Sequence, residues 1–260
     1  MSGTGIVTRV EAGIGWLILD RPREMNSFDG ATAAAIIAAV AGFAADAAVR
    51  VMVVSGNGPA FSAGGDFNWV MSWPGLSERE RYEGARAMTD AVQAIHDFPK
   101  PSIARVHGAA VGGGVGVMLA CDWAIAADGV KIGMTSARNG LLAGIAIKVL
   151  IDAAGPRVAR QLLLHGGTID TAEAARLGLV DRVVPASGLD EAIGALAGEL
   201  IRSAPSVQSL VKRLVDELGA LPPDSAAARV ALEVARQCMT DEAREGMGAF
   251  LDKRKPAWSR

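Results

Sequence analysis

Apolar and polar positions alternate along the chain in two regimes. Up to about residue 185, short apolar runs alternate with longer stretches of helical period; beyond it only helical patterns remain. Ile6–Val10 and Trp16–Leu19 flank the turn Glu11–Gly15 and read as a hairpin, followed by a polar loop Arg21–Phe28 and an alanine-rich helix Ala31–Ala45. Val51–Ser55 is continuously apolar, the pattern of a strand buried on both faces. Asn57–Phe67 is a glycine-rich loop, and Asn68–Gly84 reads as irregular, a lid, pocket wall or surface loop carrying Trp69, Trp73 and Tyr82. A helix is expected at Ala85–Asp97, then strands at Ser102–Val106, Trp123–Ala126 and Lys131–Thr135. Ala143–Ala154 and Pro156–Leu164 read as two helices, Pro156 suiting a first helical position, and Thr171–Leu177 as a short helix before a strand at Leu179–Val184. The tail predicts helices at Leu189–Ser203, Pro205–Leu218, Asp224–Met239 and Asp241–Leu251. This order implies an α/β core over residues 1–195 and a helical appendage over 196–260.

Composition narrows the function classes. With 26 basic and 28 acidic residues, the formal charge of −2 offers no electrostatic footprint for nucleic acid or an anionic membrane. No apolar stretch approaches the ~20 residues of a membrane span, and the N-terminus lacks the pattern of an export signal. Two cysteines and three scattered histidines support neither a disulfide framework nor a protein-built zinc site, so no metal is expected and a cytoplasmic setting is the simplest.

The densest chemistry lies in Val106–Asp122, where a strand enters a turn holding Gly112, Gly113, Gly114 and Gly116, and a small-residue helix opens near Gly113. Glycine lets backbone approach a ligand, and the first N–H groups of a helix have no internal partner. Such a terminus suits an anion or an oxygen on which charge develops; tight packing alone would explain the glycines equally well. The glycines do not fall at the i, i+2, i+5 spacing of a dinucleotide fingerprint, and no Lys-Ser/Thr pair completes a P-loop. The second loop, Asn57–Phe67, has the same context after a buried strand. Two N–H donors from such loops could converge on one carbonyl oxygen, an arrangement that spacing alone leaves open.

Five segments in order resemble the crotonase (enoyl-CoA hydratase/isomerase) superfamily: LDRPREMNSF at Leu19–Phe28, FSAGGDF at Phe61–Phe67, Val106–Asp122, TAEAARLGLVDRVVP at Thr171–Pro185 and EGMGAFLDKRKP at Glu245–Pro256. The resemblance implies an α/β spiral of ββα units with a C-terminal helical trimerisation region, assembled as a homotrimer or homohexamer. It implies acyl- or enoyl-CoA thioesters as ligands, with coenzyme A as part of the substrate and no permanent cofactor. It assigns the oxyanion-hole N–H groups to Gly65 and Gly113. Glu24, Met25, Ala63, Gly64 and Asp66 would lie along CoA, and Phe250 and Lys253 would approach it, conceivably from a neighbouring subunit.

The chain departs from that pattern at the acids. The family's hydratases carry glutamates three residues after the middle glycine and twenty residues further on; here these positions are Gly116 and Ser136. Gly144 stands where some isomerase branches carry a carboxylate. Met134–Thr135 resembles branches that decarboxylate or hydrolyse acyl-CoAs, although Leu142–Ala143 replaces their usual Pro-Tyr pair. Ser136, Arg138 and Asn139 are the polar candidates near the expected pocket, with turn chemistry as the plain reading of the last two. Asp66 would organise its loop by accepting backbone hydrogen bonds, and His107, Glu83 and Asp90 are weaker candidates for a base. The sequence therefore predicts a hydratase/isomerase-like enzyme without the usual acids. A decarboxylase or thioester hydrolase of the same fold, a non-catalytic acyl-CoA carrier and a pure assembly protein are the alternatives.

Overall fold

A computed structural model describes residues 4–259. The expectation of no export signal rests partly on residues 1–3, which lie outside the described ones. The apolar runs form a six-stranded sheet in the order β1-β2-β3-β4-β6-β9. Its strands are β1 (Ile6–Glu11), β2 (Ile14–Leu19), β3 (Val51–Gly56), β4 (Ser102–Val106), β6 (Trp123–Ala127) and β9 (Arg182–Val184). β1 and β2 are an antiparallel hairpin, and every later pairing in this sheet is parallel. Val51–Val54 are fully buried, as their unbroken apolar run requires of a strand covered on both faces.

A second, three-stranded sheet consists of β5 (Ala109–Val111), β7 (Lys131–Gly133) and β8 (Thr168–Ile169). β5 and β8 have no counterpart in the sequence pattern, because strands so short leave no readable alternation. β7 also ends at Gly133, two residues short of expectation, where Thr135–Asn139 turns into a 3-10 helix.

Helix α1 (Gly30–Ala45) opens on Asp29, whose carboxylate accepts from the Thr32 N–H. The segment expected to be irregular, Asn68–Gly84, is mostly ordered. It holds helix α2 (Phe67–Met71), a 3-10 turn at Trp73–Gly75 and the start of α3 (Glu78–His96). α3 begins seven residues before the expected Ala85 because Ser77 and Glu80 form a reciprocal capping box. Helix α4 (Gly113–Leu119) is buried along almost its whole length and packs on α5 (Gly144–His165). α5 is two helical pieces broken at Gly155 (φ 76°, ψ 165°) just before Pro156, as the two-helix expectation requires.

Past α6 (Thr171–Arg176), α7 (Leu189–Ile201) runs unbroken through residue 196 and buries Leu189, Ile193 and Ala197 against β3, β4 and β6. α8 (Pro205–Leu218), α9 (Pro223–Gln237) and α10 (Asp241–Leu251) then stand off the core. Lys212 bridges the gap, pairing with Asp122 at 2.8 Å, and the same carboxylate oxygen accepts from Ser102. Among the described residues no helix is long and apolar enough to cross a membrane.

Candidate active site

Two long-range bridges fix the first glycine loop, one to the polar loop before α1 and one to the second glycine loop. Phe28 pairs with Gly65, and Ser62 with Ala110 of β5. The Ser62 N–H donates to Ala109 O and the Val111 N–H donates to Ser62 O, so the first loop lies along the strand that feeds α4. The approach at Gly64 is as close as backbone permits. Gly64 has φ +85°, and a Cβ there would lie 2.4 Å from the Gly113 nitrogen.

The same bonds aim the two donors. Gly64 O accepts from the Phe28 N–H and the Asp66 N–H donates to Phe28 O, at 2.8 and 3.0 Å. In a trans peptide the N–H opposes the preceding C=O, so the Gly65 N–H points away from Phe28. Gly112 O accepts from the Val115 N–H at 3.1 Å, so by the same argument the Gly113 N–H points back out of the α4 N-terminus. Neither N–H has a partner among the described residues. Both glycines line one cavity of about 380 Å³.

Ser136 joins them in the wall of that cavity, half-buried, with no hydrogen bond from its hydroxyl among the described residues. The two glycines singled out by resemblance and the polar candidate Ser136 are thus brought together. The remaining lining is apolar apart from Thr89, which is occupied with Arg86 O, and it includes no acid, base or cation. Sequence reasoning missed Met88 and Ile145, whose tips bracket the donors. A Cβ at Gly65 would meet Met88 Cε at 2.9 Å, and one at Gly113 would meet Ile145 Cδ1 at 2.3 Å. No local signal marks these two, since each reads as an ordinary core position of an amphipathic helix. Val70 and Trp73 line the cavity, whereas Trp69 packs behind Trp73 and Tyr82 is exposed. Trp73 packs edge-on to Trp69 at 5.1 Å, its indole N–H buried without a hydrogen-bond partner.

The loop carrying Glu24 and Met25 is knitted to the loop Phe61–Phe67. Met25 (φ 53°) and Asn26 (φ 55°) are left-handed, a conformation that Asn tolerates and Met does not favour. Asn26 is almost fully buried and holds the turn by donating to Asn57 O and Ala60 O while accepting from the Arg21 N–H. Met25 O accepts from the Ala63 N–H at 2.8 Å, and Ser62 Oγ donates to Asn26 O while accepting from the Gly64 N–H. Asp66 turns inward. Its carboxylate caps α2 through the Asn68 and Trp69 N–H groups and pairs with Arg21 at 2.7 Å.

Burial works against that charge. The Arg21 hydrogen bond, the two N–H groups and the Arg21 charge outweigh burial and hold the carboxyl below the usual aspartate value. A folded-state pKa below the unfolded one stabilises the fold above the unfolded value, and the contribution fades as pH falls through the folded one. Asp66→Asn should therefore lower stability to urea at pH 7 by about 1–2 kcal/mol, and the gap to wild type should close in acid, well below the ordinary aspartate pKa of about 3.9. An equal gap at pH 7 and in acid would mean that packing, not charge, is responsible.

Other candidates lie apart from the cavity. His107 sits against Gly58 O at 3.0 Å and beside Arg105, so it makes no pair with Ser136. Glu83 and Asp90 are tied to Arg79 and Arg86 on the exposed face of α3. Arg138 and Asn139 are exposed, with Arg138 against Gly166 and Gly167. Phe250, 83% exposed on α10, and Lys253 just beyond it do not line the cavity within one chain.

With this geometry in hand, comparison with known proteins is decisive. The enoyl-CoA hydratase/isomerase family model matches residues 9–260. The chain belongs to that family. It is 32% identical to a candidate enoyl-CoA hydratase of Thermus thermophilus over 251 residues, 96% of this chain and 99% of that one. It is 31% identical to a crotonyl-CoA hydratase of Syntrophomonas wolfei over 258 residues, 98% of each chain. The crystal structure of an enoyl-CoA hydratase from Mycobacterium smegmatis superposes with a TM-score of 0.90 at 30% identity, covering 98% of this chain and 99% of that one. The expected crotonase-type α/β fold is thereby established.

Proposed function

We propose that this family member binds an acyl- or enoyl-CoA thioester with its carbonyl oxygen between the Gly65 and Gly113 N–H groups and stabilises the enolate of that thioester. The observation that carries the reading is the pair of N–H groups unpartnered among the described residues, from two loops in contact, at the wall of a mostly apolar cavity. Two fixed donors in low dielectric favour the charge-separated state over the neutral carbonyl, which is the differential binding that lowers a barrier. Ser136 is the one free hydroxyl beside them and the proposed donor or relay for a proton. Coenzyme A arrives as part of the substrate, along Glu24, Met25, Ala63, Gly64 and the backbone of Asp66, with no permanent cofactor. Phe250 and Lys253 are proposed to reach it from a neighbouring copy. Residues 1–195 are read as the binding core and 196–260 as the oligomerisation region of a cytoplasmic homotrimer or homohexamer. Val207, Val211 and Val215, a partly exposed stripe on α8, supply an apolar face for that assembly.

A second reading is favoured by the absence of any acid or base from the cavity lining. Decarboxylation of a 2-carboxyacyl thioester needs no protein base. The C–C bond breaks, CO2 leaves, its electron pair forms the enolate held by the two N–H groups, and solvent returns a proton to Cα. Thioester hydrolysis would use the same hole for its tetrahedral oxyanion. The test is mass spectrometry on a panel of enoyl-, saturated and malonyl-type CoA esters, with calorimetry in parallel. A hydrated or isomerised enoyl ester supports the first reading. Loss of CO2 or release of free CoA moves the chain to the second. Tight binding without product makes it a carrier, and no binding of any ester overturns the assignment.

A further inference from the structure

Resting on that reading, the shape of the cleft says which acyl group it takes. Two walls run away from the carbonyl site in step. On α3, Met88 touches Gly65, and Ala85 lies one turn, ~5 Å, nearer the helix N-terminus. On α2 and the turn after it, Phe67, Val70 and Trp73 follow in succession from the oxyanion loop. Trp73 packs where a Cβ on Gly84 would lie 3.3 Å from its ring, beside Ala85, and so stands at the far end of the trough. Leu141, Leu142 and Ile145 make the third wall.

We infer that the cleft selects an uncharged, hydrophobic acyl chain of about six to ten carbons, and that Ala85 sets its length. The cavity of 380 Å³ has about the volume of twelve water molecules at roughly 30 Å³ each, and the thioester itself takes part of that space. No cation in the lining could compensate a carboxylate at the tip of the chain. Ala85 is the smallest side chain on the α3 wall and lies one turn beyond Met88, toward the Trp73 end of the trough, so a larger residue there shortens the space without touching the two N–H donors.

Calorimetry with saturated straight-chain CoA esters from acetyl to dodecanoyl, and with ω-carboxyl esters of matching length, tests this. Affinity should rise about fourfold per methylene, the equivalent of ~0.8 kcal/mol for each buried CH2, and level off near the eighth to tenth carbon. The ω-carboxyl partner of the best ester should bind about a hundredfold more weakly. Ala85→Phe should move the plateau to shorter chains by about three carbons, with the loss of affinity growing with chain length, a dependence that misfolding cannot imitate. A flat series with tight binding, equal affinity for the ω-carboxyl esters, or an unmoved plateau in the variant overturns the inference and leaves the thioester reading standing. Failure of every ester to bind overturns both.

Discussion

Gly113→Pro, made in an Ile145→Ala background, is expected to lower kcat on whichever CoA ester is turned over by about 10²–10³-fold relative to Ile145→Ala alone. Proline is the cleanest way to delete this donor, because Gly113 is the first residue of α4, a position where proline's fixed φ and missing N–H cost the helix nothing. The obstacle is steric. Any Cβ at Gly113 would meet Ile145 Cδ1 at 2.3 Å, so the isoleucine tip is removed first and the double variant is compared with the single one. Affinity for an ester that is bound without turnover should fall only about tenfold, since a neutral carbonyl loses one ordinary hydrogen bond. The difference between those two losses is the signature of an oxyanion hole, a site made for the charged state. Equal and small losses in both, with the near-ultraviolet spectrum unchanged, would show that Gly113 N–H faces no reacting oxygen.

What was readable beforehand and what was not divides along a physical line. Features governed by neighbours in sequence came through. These include the buried run Val51–Val54, the helix opening at Gly113 after a strand, and the break before Pro156. The early start of α3 was also written locally, in Ser77-x-x-Glu80, but the tryptophans and glycines around it argued for a loop. Features that depend on partners far along the chain were invisible. The meeting of the two loops rests on the pairing of Ser62 with Ala110, across 48 residues. The two-residue β8 exists only because Ile132 and Gly133 offer it partners. Likewise Met88 and Ile145 acquire meaning only once Gly65 and Gly113 are beside them. Resemblance to the crotonases singled out Gly65 and Gly113; the hydrogen bonds of Gly64, Gly112 and Phe28 turn their N–H groups away from Phe28 and out of the α4 N-terminus.

The missing acids lead to the second large expectation. Restoring glutamate at position 116 should not create a hydratase; it should unfold the site. Gly116 is buried on α4, and a Cβ there would lie 3.2 Å from Ile145 O and 3.3 Å from Ala146 Cα and Cβ. The space is closed by backbone of α5, which cannot give way as a flexible side-chain tip could. A glutamate would have to push apart two packed helices and carry a carboxylate into a place with no cation to meet it. Gly116→Glu is expected to cost about 3 kcal/mol or more in urea unfolding at pH 7. Ser136→Glu presents the opposite case. Its side chain is half-buried at the open cavity, so the variant should fold with a stability change of about 1 kcal/mol or less. Apolar surroundings should raise the pKa of that new carboxyl, readable by nuclear magnetic resonance titration, because burial there disfavours the charge. Two positions that look equivalent in the motif thus differ physically: Gly116 is packed in the core and Ser136 lines the cleft. If Gly116→Glu proved as stable as wild type, α5 would have to be free to move off α4, and the closed seat of the first acid would lose its explanation.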